Sequence, residues 1–157
     1  MKKIYLIPVL CLLLLSAITF RAQAQASPKP MQMPGTGYPW SDRELLEPSV
    51  LAAQIKGGAG TTPLIFNIGS VKDIKGAKHI GPVGKAENLE KFTRALSALP
   101  KNTELVIYCG CCPFTKCPNN RPAFLELEKS GFTNVKVLNL PVNLKTNWIA
   151  NGFPLAK

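Results

Sequence analysis

Two rhythms of apolar and polar positions run along the chain. "PLIFNIG" (63–69) is a short continuous apolar run of the buried-strand kind, "TELVIYC" (103–109) is another buried strand, and "NVKVLNL" (134–140) reads as a third strand. Between them the apolar residues recur at helical spacing. In "AENLEKFTRALSALP" (86–100), Leu89, Phe92, Leu96 and Leu99 fall on one stripe and Pro100 ends it. "ELLEPSVLAAQIKGGAG" (44–60) reads as a short extended piece, then a helix opened by Pro48, carrying Leu51, Ala52 and Ile55 and stopped by Gly57 and Gly58. "RPAFLELEKSG" (121–131) is a helix with Pro122 in its first turn and Gly131 as its stop. A brief strand is expected in "AKHIG" (77–81), and a last helical stretch in "NLKTNWIANG" (143–152), closed by Gly152 and Pro154.

Strands alternating with helices at this spacing predict an α/β fold: three layers, α/β/α, around a central parallel sheet of about five strands. Such sheets place their chemistry in the loops beyond the carboxyl ends of the strands. At 157 residues the chain is long enough for one domain with a hydrophobic core and too short for two of ordinary size.

The N-terminus departs from both rhythms. Lys2 and Lys3 precede an apolar run over 4–20, and Ala22, Ala24 and Ala26 follow at alternate positions, the pattern of a cleaved secretory signal over 1–26. Residues 27–43, with prolines at 28, 30, 34 and 39, predict a flexible leader, and 44–157 the folded domain. Export to a periplasm-like compartment is expected, with no stable membrane insertion after cleavage. Cleavage removes Lys2, Lys3 and Arg21 and no acid, taking the formal charge from +10 to +7. A basic surface attracts anions. The lysines of the domain are scattered singly, without the interleaved aromatics of a nucleic-acid face, so no nucleic-acid partner is expected.

Four of the five cysteines crowd into "CGCCPFTKC": Cys109, Cys111, Cys112 and Cys117. Cys109 stands at the carboxyl end of the strand "ELVIY" and Arg121 opens the following helix, so the cysteine loop is a strand-to-helix connection where α/β folds keep their sites. In an exported chain an even number of cysteines reads first as disulfides.

A strand ending in cysteine, a loop closing on arginine, a helix, "SGFTNVKVLNL" and a terminal Trp148, Gly152, Pro154 pattern together resemble the rhodanese family, over roughly residues 45–155. "PLIFNIGSVKDIKGAKHIGPV" is similar to that family's first central strand and the segment after it, here Ile74, Gly76, Ala77 and Ile80. The resemblance implies a sulfurtransferase, in which Cys109 takes sulfane sulfur from a thiosulfate-type donor as a persulfide and passes it to a thiophile such as cyanide or a protein thiol. It implies Arg121 as binder of the donor oxyanion and no cofactor; Lys116, in the same loop, could help the anion in or simply be solvated. A helix N-terminus, backbone N–H groups and a guanidinium around Cys109 would favour its thiolate.

The chain departs from the family pattern in three places. Arg121 lies 12 positions after Cys109, where the family loop takes five steps; Asn67 and Gly69 replace an acid and an arginine; and Asp73 replaces a histidine. The enlarged loop adds Cys111, Cys112 and Cys117, and four roles for them stay open. They relay or resolve sulfur for Cys109; Cys111 or Cys112 pairs with Cys117 in a thiol-disulfide module; a disulfide merely pins the loop; or the thiolates hold Cu(I) or Zn(II), which the absence of paired C-x2-C knuckles disfavours. His79 reads as a surface or strand-end residue, Trp40 and Trp148 as packing residues, and Asn119 and Asn120 as turn formers that cap the helix.

Overall fold

The computed structural model describes residues 37–58 and 62–157; the expected signal over 1–26 and the leader as far as residue 36 lie outside them. Strands β1 (Leu45–Leu46), β2 (Leu64–Asn67), β3 (Lys78–His79), β4 (Leu105–Tyr108) and β5 (Val135–Leu138) form one sheet in the order β1-β5-β4-β2-β3, every pair parallel. Helices α1 (Pro48–Gly57), α2 (Ala86–Ser97) and α3 (Asn120–Lys129) cover its faces, the three-layer α/β/α arrangement expected from the alternating rhythms. Among the described residues no helix is long and apolar enough to cross a membrane.

β4 is the middle strand and all four of its residues are buried, which is why its sequence is continuously apolar instead of alternating. Its side chains nevertheless part by turns to two cores. Leu105, Ile107 and, continuing the alternation, Cys109 join Phe66, Phe92, Leu96, Phe124 and Leu127 under α2 and α3. Val106 and Tyr108 join Leu51, Ile55, Leu144 and Trp148 under α1 and the C-terminal segment. Cys109 therefore starts the loop with its side chain already committed to the α2/α3 side.

α1 begins at Pro48, whose missing N–H costs nothing there, and ends at Gly58 with φ +91°. α2 buries Phe92 and Leu96, the centre of its expected stripe, with Leu89 and Leu99 packed at the edge of the same core. α3 starts one residue before the expected Arg121 and is followed by Gly131 at φ +80°. The last helical stretch is a wide π-type turn, Lys145–Ile149. Trp148 in it is fully buried, stacks edge-on against Phe153, and donates from Nε1 to the Pro154 carbonyl at 3.0 Å. The chain end then ties down the segment after β2, through Lys75 N–H to Pro154 O and Ala156 N–H to Asp73 O. Trp148, Gly152 and Pro154 thus serve the fold. Trp40 is buried between the rings of Tyr38, Phe114 and Phe124.

Candidate active site: a thiol cluster after the central strand

The cysteine loop leaves β4 through two close approaches that only glycine allows. A Cβ on Gly69 would lie 2.4 Å from the Cys109 carbonyl oxygen and 2.8 Å from its sulfur, so the chain after β2 presses its bare backbone against Cys109. Gly110 follows at φ +74°, and a Cβ there would meet the Leu144 Cβ at 2.8 Å. Its carbonyl accepts from the Leu144 N–H at 2.9 Å, and the Phe114 N–H donates to the Leu140 carbonyl at 3.0 Å. The enlarged loop is thereby fastened at two points to the segment following β5.

Cys109 is buried, with 1% of its surface exposed, and three neighbours aim hydrogens at its sulfur. The Cys117 thiol donates to it, the Asn119 side-chain amide donates at 3.2 Å, and the Cys111 backbone N–H points at it. Asn119 has one possible orientation. The Gly84 N–H, which can only donate, takes Oδ1 at 2.8 Å, and this turns the NH2 group toward the sulfur. A sulfur receiving this many donors is best suited as a thiolate. The Cys117 hydrogen bond leads, and with Asn119 and the Cys111 groups it outweighs the opposing effect of burial, bringing the Cys109 thiol down to about 5.

The other thiols move the opposite way. Cys117, also buried, is held protonated chiefly because it donates to Cys109, even though the Asn119 and Asn120 backbone N–H groups at the start of α3 are directed at it. Burial, the hydrogen bonds to Cys109 and Cys112 and the Cys109 charge raise Cys111 to about 12. The site thus holds one negative charge, on Cys109, with two thiols donating into it.

All four cysteines are free. Cys111 is exposed, with its sulfur 3.2 Å from that of Cys109 and 3.3 Å from that of Cys112. The sulfurs of Cys109, Cys111 and Cys117 lie within 4.8 Å of one another, close enough for three thiolates to share one soft ion, one ligand short of a structural four-cysteine zinc site.

The basic residues expected to bind the donor both lie on the exposed surface. The Arg121 guanidinium is exposed and donates to the Gly37 carbonyl, and Lys116 is exposed on a 3-10 turn, Phe114–Lys116. Thiolate stabilisation at Cys109 therefore comes from Cys117, Asn119 and the Cys111 N–H, and the helix N-terminus that the sequence suggested for Cys109 addresses Cys117 instead. Asn119 and Asn120 do not cap α3 with their side chains: Asn119 spans Gly84 and Cys109, and Asn120 Nδ2 donates to the Phe114 carbonyl. The sequence signal for Asn119 was present but generic, a polar residue where the loop enters the helix.

Lysines do reach the site from other segments. Cys111 lines an open groove of about 370 Å³ with Lys72, Lys145, Val71, Leu144 and Ile149. A second surface groove, between α2 and α3, contains no cysteine. His79, exposed, pairs with Asp73 at 2.9 Å, and Asp73 also accepts from Asn67 at 2.8 Å. Burial opposes ionisation of Asp73, but these two bonds prevail and keep it below the usual carboxylate range. Asn67, Asp73 and His79 together brace the segment after β2, and none of the three contacts the thiols.

No family model matches the chain, and no curated protein matches it. Among solved structures it is similar to the Alr3790 protein from Anabaena sp., with a TM-score of 0.50 and 23% identity, over 71% of this chain and 90% of that one. That likeness shows a shared fold.

Proposed function

We propose that this protein is an exported sulfurtransferase whose carrier is Cys109. The observation that carries the reading is the position and solvation of one sulfur. It stands at the carboxyl end of the central strand and accepts from the Cys117 thiol, the Asn119 amide and the Cys111 N–H. These donors favour an ionised nucleophile at neutral pH. In the reaction the Cys109 thiolate attacks the outer sulfur of a thiosulfate-type donor. A Cys109 S–S bond forms, the donor's S–S bond breaks, and sulfite leaves with the bonding electron pair. Transfer to a thiophile restores the thiolate, so no separate oxidant or reductant is consumed. The surrounding positive charge, including Arg121 and Lys116, raises the local concentration of anionic donors.

The test is thiocyanate formation from thiosulfate and cyanide, with intact mass measured after thiosulfate alone. Wild type gains one sulfur, lost on reduction, and Cys109→Ser neither gains it nor turns over. Turnover by Cys109→Ser at the wild-type rate overturns the assignment. A thiol-disulfide function is the second reading, favoured by the 3.2 Å contact between the Cys109 and Cys111 sulfurs. It predicts a loss of two hydrogens on mild oxidation, with no sulfur gained from thiosulfate.

A further inference from the structure

Burial of Cys109 sets a problem for the second half of the transfer. A small anion can work its way to a cysteine that is 1% exposed, but a peptide or protein thiol is too bulky to do so. Cys111 is the exposed thiol nearest to it. A persulfide sulfur stands about 2 Å from the sulfur that carries it, and Cys111 Sγ is only 3.2 Å from Cys109 Sγ. Sulfur loaded on Cys109 therefore comes within reach of Cys111. Neither other cysteine combines exposure with such a contact, since Cys117 is buried and Cys112, half-buried, meets the sulfur of Cys111.

Resting on the sulfurtransferase reading, we propose that Cys111 is the thiol through which sulfur leaves, and that the groove it shares with Lys72 and Lys145 receives an anionic thiol acceptor. The relay balances within the site. The Cys111 thiol gives its proton to the terminal sulfur of the Cys109 persulfide. The resulting Cys111 thiolate attacks that terminal sulfur, the S–S bond to Cys109 breaks, and Cys109 leaves as a thiolate. A thiolate with strong donors around it is a good leaving group, and the Cys109 sulfur has such donors. The acceptor thiolate then attacks the outer sulfur on Cys111, giving an acceptor persulfide and the Cys111 thiolate, which takes a proton from water.

The groove fits such an acceptor. Its charged lining residues are both cations, Lys72 from the segment after β2 and Lys145 from the C-terminal turn, with Val71, Leu144 and Ile149 as apolar floor. A negatively charged thiol is drawn there, and a positively charged one is repelled.

The experiment loads the full-length protein with thiosulfate, follows the added sulfur by intact and peptide mass, and discharges it with reduced glutathione, an anionic thiol, or cysteamine, a cationic one. Cys111→Ser is expected to load on Cys109 but to lose sulfur to glutathione about tenfold more slowly or worse, about 1.4 kcal/mol of barrier. Discharge at the wild-type rate, or failure of this variant to load while wild type loads, overturns the relay. Lys72→Glu with Lys145→Glu, which leaves every cysteine in place, is expected to slow discharge to glutathione and not to cysteamine. An equal effect on both thiols, or none, overturns the acceptor class. If wild type never gains sulfur, the sulfurtransferase reading itself falls, a result seen before any acceptor is added.

Discussion

Asn119 reaches Cys109 as a donor because Gly84 leaves it no other choice: one end of the amide is fixed at 2.8 Å by a backbone N–H, and the other meets the sulfur at 3.2 Å. The residue that tunes the Cys109 sulfur is thus aligned by a segment 35 positions earlier in the chain. Asn119→Asp turns the donor into a second negative charge facing the sulfur. The Cys109 thiol pKa should rise by about one to two units, the size expected when a hydrogen bond to a charged group, about 1.5–3 kcal/mol, is lost. Alkylation rates of the Cys109 peptide against pH, read by mass spectrometry, check this.

In wild type the same profile has a definite sign. Cys109 is lowered to about 5, so its thiolate persists through neutral pH and is lost only as the solution is acidified through that value. A lowered thiol pKa also makes folding stabler at high pH than at low, because the unfolded chain still holds the proton up to its ordinary range near 9. Between those limits, the Cys109→Ser variant should show a flatter dependence of unfolding free energy on pH than wild type.

Gly69→Ala sets a methyl group 2.4 Å from the Cys109 backbone carbonyl oxygen, where no side-chain rotation relieves it. Destabilisation of about 1–3 kcal/mol is expected, by the usual cost of overpacking, together with loss of persulfide loading as Cys109 is displaced. Urea unfolding and intact mass measure the two effects separately.

Tyr108→Phe tests the brace on the opposite face of β4. The buried hydroxyl accepts from the Ile74 N–H at 2.9 Å and donates to the Lys72 carbonyl at 3.3 Å. Its removal leaves a buried N–H unpaired, a loss of about 1–3 kcal/mol. Because Lys72 lines the groove beside Cys111, discharge of sulfur to glutathione should slow more than loading does.

Arg121→Ala separates the arginine expected from sequence from the arginine seen bound to Gly37. An exposed contact of this kind is worth about 0–1 kcal/mol, so the KM for thiosulfate should change by less than about fivefold. A much larger rise means that Arg121 leaves Gly37 to hold the donor.

The fold was legible because its determinants are local. Buried strands such as "LVIY" and the Phe92–Leu96 stripe declare themselves through periodicity, and Pro48, Gly58 and Gly131 mark element ends by their backbone limits. The site was legible only to the extent that it follows from topology, which placed Cys109 at a strand end. What solvates Cys109 depends on contacts between distant segments: Gly84 turning Asn119, Gly69 pressing on the strand, Lys72 and Lys145 meeting beside Cys111. No spacing rule encodes such meetings. Arg121 and Lys116 were legible as basic residues of the loop, and the turn and the helix start that carry them put both on the exposed surface.

The sheet's two outer strands, β1 and β3, are two residues long each, against four in the strands they flank. So little unpaired backbone at either margin offers a poor template for adding a strand from another molecule. A chain with free cysteines and a continuously apolar central strand has reason to fear self-association, and brevity at its borders gives it colloidal protection that its charge alone would not.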